Sequence, residues 1–274
     1  MSLPKFSIVT TSLNQAGFID ANIGSVLAQQ YPDVEHIVVD GGSTDGTLDI
    51  LKRYPHLRCT SGPDRGQSQA FNKGLAMATG EVVGWLNSDD TYEPGVFGLV
   101  AEQFRDPDIH VVYGDGHEID GSGAVTKGYR SRDVSFEGLV KYWRWRYEFV
   151  QPAFFFRRSV FADVGVLDEN LHYAMDYDLF VRLAKKYQFL YIPKPLANLR
   201  LHAASKTGKN YRKFIPAYIW EMHRVSFRNW GPPTGGRFYG YAFSFLGAIL
   251  LTVVKNLLFL PGSKSRQRVG SGGS

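Results

Sequence analysis

Over residues 5–115 the chain alternates β-rich runs with helical patterns, and most of the strand-like runs end in polar loops rich in carboxylates. No other feature constrains the fold as tightly. Residues 6–9 read as a strand. Residues 18–30 carry Ile19, Ile23, Val26 and Leu27 at helical spacing, and Pro32 stops them. Residues 36–39 read as a second strand, and the glycine-rich stretch 40–46 after it is a loop. Further strands are expected at 57–60, 82–86 and 109–113, with helices over 47–54, 67–78 and 94–104. Later, 154–156 resembles a buried strand and 176–187 a helix with Leu179, Phe180 and Leu183 on one face. Apolar strands separated by helices predict an α/β fold, with a mostly parallel sheet flanked by helices on both faces. Ligands bind such sheets beyond the carboxyl ends of the strands. Here those ends carry Thr11 and Ser12, Asp40, the loop 62–66 with Asp64 and Arg65, and the pair Asp89 and Asp90.

The familiar phosphate cradles are missing. There is no G-x-x-x-x-G-K-[ST], and Gly114-x-Gly116 is followed by Ile119 where a third glycine would complete G-x-G-x-x-G. H-E-x-x-H and G-x-S-x-G are also missing, which weakens zinc-protease and hydrolase readings. A single cysteine, Cys59, excludes a disulfide scaffold and a cysteine-rich zinc module. What remains is carboxylates after strands. Asp89 and Asp90, at the edge of a low-dielectric core, repel unless a cation or hydrogen-bond donors offset them. A divalent hard cation bridging to a ligand diphosphate meets that need. The same residues also suit a helix cap, and Asp40 also suits a plain turn.

Three segments taken together are far more specific. Residues 7–14 (SIVTTSLN), 38–47 (VVDGGSTDGT) and 86–90 (LNSDD) resemble the family 2 glycosyltransferases, inverting enzymes of the GT-A (Rossmann-like) fold. Residues 165–169, 175–183 and 199–202 resemble that family too, so the likeness runs over about 5–205. The resemblance implies a GT-A catalytic domain over 1–205 that binds a nucleotide diphosphate sugar, typically of uridine. It implies that Thr11 and Ser12 line the nucleotide pocket, that Asp40 accepts a hydrogen bond from the base, and that Asp64 and Arg65 complete the pocket. Asp89 would be the principal ligand of Mg²⁺ or Mn²⁺, His202 would approach the metal or diphosphate, and Asp176 would be the catalytic base. Three positions depart from the family pattern: Asn87 in place of the first Asp of D-x-D, Gly41 in place of a second Asp, and Met175 in place of a Glu before the base. With an amide at 87, Asp89 and Asp90 are expected to carry more of the metal site. A sugar nucleotidyltransferase would show a Gly-rich, Lys/Arg-containing loop after the first strand, which residues 10–14 (TTSLN) do not form. A non-catalytic nucleotide-sugar or glycan-binding module is the other alternative, and Asp176 argues against it. Asp178 and Arg182, four apart on the expected helix, read as an ordinary ion pair.

Charge divides the chain. Residues 1–200 hold 20 Lys and Arg against 25 Asp and Glu, whereas 201–274 hold 11 against one acid, Glu221. Within 238–260 only Lys255 is charged, and aromatic residues crowd the start. Residues 206–274 therefore read as a basic, apolar helical segment that attaches to an anionic membrane surface through 238–260. Its charges flank an apolar block without forming a stripe, which argues against nucleic acid. Arg144 and Arg146, set between aromatic residues, suit either sugar stacking or an interface. The start of the chain shows no signal-peptide pattern, so the cytoplasmic face of the membrane is the expected location. The acceptor is expected to be a glycan or a lipid-linked hydroxyl, and the oligomeric state is left open.

Overall fold

A computed structural model describes residues 3–131, 134–144, 149–203, 205 and 211–258, with backbone alone at 211–216 and 251–258. Trp145, Arg146, Tyr147 and everything after residue 258, including the end of the 238–260 stretch, lie outside the described residues.

The chain opens with the alternation its sequence predicts: β1 (Phe6–Ser12), α1 (Ile19–Leu27), β2 (Val34–Asp40), α2 (Thr47–Leu51), β3 (Arg58–Ser61), α3 (Gln67–Met77) and β4 (Val82–Trp85). β1 lies between β2 and β4, parallel to both, and β3 adds to β2 in parallel. All seven residues of β1 are buried, as a strand covered on both faces requires. Two of its polar members are paired inside the sheet: Ser7 Oγ donates to Glu35, and Thr10 Oγ1 lies 2.9 Å from His36 Nε2. Gly74 lets α3 approach this half of the sheet closely, because a Cβ there would come within 2.5 Å of Val9 Cγ1.

The second half contains β5 (Thr91–Tyr92), α4 (Val96–Gln103), β6 (Val111–Ile119), β7 (Val125–Tyr129), α5 (Phe136–Val140), a 3₁₀ turn at Gln151–Ala153, β8 (Phe154–Arg157), α6 (Val160–Val164), α7 (Met175–Lys186) and β9 (Phe189–Arg200). The sheet runs β3-β2-β1-β4-β8-β6-β9-β5, with β7 also paired to β6. Beyond β4 it is mixed. β8 is antiparallel to β4 and β6, β6 and β9 are parallel, and β5 and β7 add antiparallel. The three phenylalanines of β8 explain why it sits centrally. Phe155 stacks on Tyr92 at 5.3 Å, while Phe154 stacks on Phe180 of α7 at 4.3 Å and Phe156 meets Phe161 of α6 at 5.8 Å. Such alternation buries both faces, at about 1.5–3 kcal/mol per phenylalanine.

Two helices follow, α8 (Tyr211–Arg228) and α9 (Gly236–Leu258). The chain divides into two compact units, 1–229 and 230–274. This division falls after α8, later than the boundary at 205 suggested by charge. Met222 and Val225 of α8 are buried, and Ser226 Oγ donates to the Val140 carbonyl of α5. The basic character of α8 resides in exposed residues such as Arg224, on a helix whose other face is core. In the second unit α9 exposes Tyr239, Phe243, Leu246 and Leu250, whose spacing of three and four places them on one face. Among the described residues, no helix is long and apolar enough to cross a membrane.

Two titratable groups, half-buried Glu35 and buried His36, make the first half of the sheet sensitive to acid. Burial raises the pKa of the Glu35 carboxyl, but hydrogen bonds from Ser7, Thr79 and Arg58 outweigh it and hold the group at about 2 against an ordinary 4.5. Its contribution is therefore present above pH 4.5 and is lost as pH falls toward 2. Burial, helped by the charge of His56, lowers the His36 pKa to about 3 from 6.5, so protonation of the unfolded chain draws away stability between those values. Glu35→Gln is expected to cost about 2–3 kcal/mol at pH 7 and to remove the part of the acid dependence below pH 4.5. Urea unfolding across pH checks this. An unchanged dependence would remove Glu35 from the account.

Candidate active site

The ends of β1 and β4, the loop before α3 and the first turn of α7 open onto one cavity of about 600 Å³. Thr11 and Ser12 of β1, Asp64 before α3, Asp89 after β4 and Asp176 of α7 all line it. Ser12 Oγ is buried and has no hydrogen-bond partner among the described residues. A buried orphan hydroxyl on a cavity wall is a vacant binding valence.

Asp40, Arg65 and His202 are not among the lining residues. Asp40 is fully buried at the end of β2. Its Oδ1 accepts from Gly42 N, Ser43 N and Ser61 Oγ, and its Oδ2 accepts from Ser43 Oγ. The carboxylate is thus spent on its own turn and on β3. Next to it, Gly41 makes room for the cavity's Asp64, since a Cβ on Gly41 would lie 2.9 Å from Asp64 Oδ2. A side chain at 41 would displace that carboxylate from its present place. Arg65 points elsewhere, pairing with Glu169 at 2.5 Å.

The loop after β4 is organised by Asn87. Its Oδ1 accepts from Gln67 Nε2 at 2.6 Å, Trp85 Nε1 at 3.0 Å and Thr11 Oγ1 at 3.3 Å. Its Nδ2 donates to Asp90 Oδ2 at 3.2 Å and Gln151 Oε1 at 3.1 Å. Asp90 is buried as well, and its Oδ1 accepts from Arg200 N at 2.9 Å. Burial, followed by the charge of Asp89, pushes the Asp90 carboxyl well above the usual carboxylate range. Asp90 therefore ties β9 to this loop, and Asp89 is left as the carboxylate presented outward.

Asp89 Oδ2 lies 3.2 Å from His202 Nε2, and the imidazole is braced by the Phe18 ring at 4.3 Å. One oxygen and one nitrogen at that separation suit adjacent corners of an octahedron with metal–ligand bonds near 2.1 Å, where ligands lie about 3 Å apart. No group of three or more His, Cys, Asp or Glu suited to a metal ion occurs among the described residues. A two-ligand protein site matches the way Mg²⁺ binds, completing its shell with substrate phosphate and water.

α7 begins at the cavity. Asp176 and Asp178 lie in its first turn and Lys185 and Lys186 in its last, which complements the helix dipole. Asp178 pairs with Arg182 at 2.8 Å, and Arg182 also donates to the carbonyls of Val164, Gly165 and Val166. The i,i+4 pair is thus structural, and Asp176 faces a different direction, into the cavity. Sequence reasoning missed Gln67 and Gln151, the partners of Asn87. It also missed Tyr218 of α8 on the cavity wall. Gln67 directly follows the Asp64-Arg65-Gly66 turn and was open to discovery; Gln151 and Tyr218 carry no pattern.

Comparison with known proteins agrees with this architecture. The sequence profile of Glycosyl transferase family 2 matches residues 7–165. The chain is 29% identical over 217 residues to a chondroitin synthase of Pasteurella multocida, covering 76% of this chain and 22% of the relative. It is 30% identical over 191 residues to a PGL/p-HBAD biosynthesis glycosyltransferase of Mycobacterium bovis, covering 66% and 70%. The chain thus spans about a fifth of the Pasteurella synthase. Among solved structures, S. aureus TarS 1–349 in complex with UDP-GlcNAc superposes with TM-score 0.64 at 18% identity, covering 93% of this chain and 73% of that one. The mannosyltransferase PcManGT from Pyrobaculum calidifontis, in complex with GDP-Man and Mn²⁺, superposes with TM-score 0.60 at 18% identity, covering 95% and 77%. Both carry the mixed α/β architecture of the GT-A glycosyltransferases. Profile, relatives and fold agree: this chain belongs to glycosyl transferase family 2.

Proposed function

We propose that this protein is an inverting glycosyltransferase that moves a sugar from a UDP-sugar to a hydroxyl of a growing polysaccharide or lipid-linked glycan. The observation that carries it is that Asp89 and Asp176 line one cavity together with Thr11, the unpartnered hydroxyl of Ser12, and Asp64. Support for the donor comes from the fold neighbours whose structures hold UDP-GlcNAc or GDP-Man with Mn²⁺. Support for the acceptor comes from the chondroitin synthase relative.

In this mechanism the nucleoside lies against Thr11, Ser12 and Asp64. Asp64, whose carboxylate Gly41 admits to the cavity, is the acid that reads the base. Asp40 serves it indirectly, holding the turn at Gly42 and Ser43. A Mg²⁺ or Mn²⁺ ion held by Asp89 and His202 would supply Lewis-acid stabilisation of the departing diphosphate. Asp176 takes the proton of the acceptor hydroxyl as its oxygen bonds to the anomeric carbon. The bond from that carbon to the diphosphate oxygen breaks, and the electron pair leaves with the nucleoside diphosphate. Attack opposite the leaving group inverts the anomeric centre and needs no covalent enzyme intermediate. The exposed apolar face of α9 and the basic residues around it hold the enzyme at the cytoplasmic face of an anionic membrane.

A screen of the purified protein against nucleotide sugars, with divalent metal or chelator, should release nucleoside diphosphate from a UDP-sugar only with metal present. Asp176→Asn should lower turnover about 10²–10⁴-fold and leave donor affinity within a few fold; wild-type turnover in that variant removes the base assignment. Asn87→Asp restores the acid common at this position, yet here it replaces an amide that donates to Asp90 and Gln151. We expect lower activity and a loss of about 2 kcal/mol, visible as a drop in thermal midpoint. A more active, equally stable variant would show that Asp90 is free to serve the metal. Deleting 238–274 should abolish co-sedimentation with vesicles containing anionic lipid; if the full chain never sediments with them, the membrane assignment fails.

A further inference from the structure

Glu221 is the single acid between residues 201 and 274. Its Oε1 accepts from His172 N at 3.0 Å, and its Oε2 accepts from Tyr173 N at 2.7 Å and Ala174 N at 2.8 Å. These three amides are consecutive and lead directly into α7, whose N-cap, Ala174, supplies no side-chain cap of its own. A carboxylate from another helix thus takes the N-cap amide, as the glutamate of a capping box does, together with the two amides before it, at the positive end of the helix. Two residues past the clamp is Asp176. His172, Tyr173, Met175 and Asp176 together form part of the cavity wall.

The clamp is firmly mounted. Glu221 is followed on α8 by the buried Met222 and Val225, and Ser226 Oγ donates to the Val140 carbonyl at 2.6 Å. One residue earlier on α5, the Leu139 carbonyl accepts from Tyr177 Oη of α7 at 2.7 Å. α7 and α8 are therefore fixed to the same short helix, and Glu221 closes the triangle at the end where Asp176 stands. Asp176 Oδ1 accepts from Tyr177 N, so the carboxylate moves with the first turn of α7, and Ala174, which Glu221 holds, is the N-cap of that turn.

We infer that Glu221 is a positioning residue for the transfer reaction: it holds the 172–174 backbone so that Asp176 stands where the acceptor hydroxyl must lose its proton. This rests on Asp176 being the general base. An error of about 1 Å in placing a catalytic group costs about 10²-fold, and donor contacts on the opposite wall are untouched. Glu221→Gln in the full chain should therefore lower kcat about 10–100-fold, with the donor KM within threefold of wild type. Glu221→Asp, which keeps the charge on a shorter arm, should recover part of that loss. The amides of residues 172–174 should exchange with solvent faster in both variants. Because Glu221 acts through Asp176, the double variant Glu221→Gln with Asp176→Asn should be no slower than Asp176→Asn alone.

The outcomes separate. If Asp176→Asn retains turnover, the base assignment fails and the inference falls with it. If Asp176→Asn is inactive while Glu221→Gln and Glu221→Asp keep wild-type kcat, the base stands and the positioning role is refuted. Losses that multiply in the double variant would also refute it, because Glu221 would then act elsewhere. Should the Gln variant not fold, the Asp variant carries the same comparison of kcat, KM and exchange.

Discussion

The rim of the cavity depends on one half-buried amide. Asn87 sits where four pieces of chain meet, and each of its two polar atoms is engaged more than once. Inside a protein such a hub is stable only when complete, since each buried polar group left unpaired costs about 1–3 kcal/mol. The chemistry of the amide matters as much as its size. A carboxylate could accept from Thr11, Trp85 and Gln67 but could not donate to Asp90. With the amide present, the protonation-prone Asp90 turns inward to the backbone of Arg200, and Asp89 is left pointing the other way, toward His202. The departure from the common acidic motif is therefore a division of labour between adjacent carboxylates.

A second dependence runs from the far end of the first unit. α8 lies outside the stretch matched by the family profile, which ends at 165, yet it supplies Tyr218 to the cavity wall and Glu221 to the backbone beside Asp176. Buried Met222 and Val225, with the Ser226 hydrogen bond to Val140, seat this helix against α5. On the proposed mechanism, Asp176 and the rim of Thr11, Ser12 and Asp89 thus stand on different supports. One is the parallel sheet, whose strand ends carry Thr11, Ser12 and the loop of Asp89. The other is the bundle of α5, α7 and α8. Donor binding and proton removal can then be perturbed separately, which is why the substitutions proposed above divide between affinity and turnover.

What the sequence makes legible follows from the range of the interaction involved. β1, β2, β4, α3 and α7 show in the periodicity of their own residues, and the Asp178–Arg182 pair shows in its spacing. The gathering of Thr11, Ser12, Asp64 and Asp89 at one cavity is legible because strand ends in an open α/β sheet share a rim, whereas Asp176, on a helix, is legible only through the family resemblance. Long-range choices are not legible. Nothing local says that β8 runs antiparallel between β4 and β6, that Asp40 spends its carboxylate on its own turn and on Ser61 of β3, or that Arg65 turns to Glu169, a hundred residues away. Charge counting fails at 201–228 for a related reason. It averages over a helix whose exposed face is basic and whose inner face carries the one acid that matters.

The nucleoside end of the cavity illustrates how such long-range choices set recognition. Two acids compete for the region after β2. A side chain at 41 would lie 2.9 Å from Asp64 Oδ2 and would push that carboxylate from its present place. Here residue 41 is glycine, and the acid arrives from the loop after β3. That loop is stiffened by Gly66 N donating to Asp64 Oδ1 at 2.8 Å and is anchored at its base by Gly62 N on the Asp40 carbonyl. An acid delivered on a short, internally bonded turn is held against a ligand's N–H with little rotamer entropy left to lose. Selectivity for the base would then reside in a loop outside the usual acidic motif after β2, and substitutions in 62–66 would alter the choice of nucleotide while the machinery at Asp89 and Asp176 stays intact.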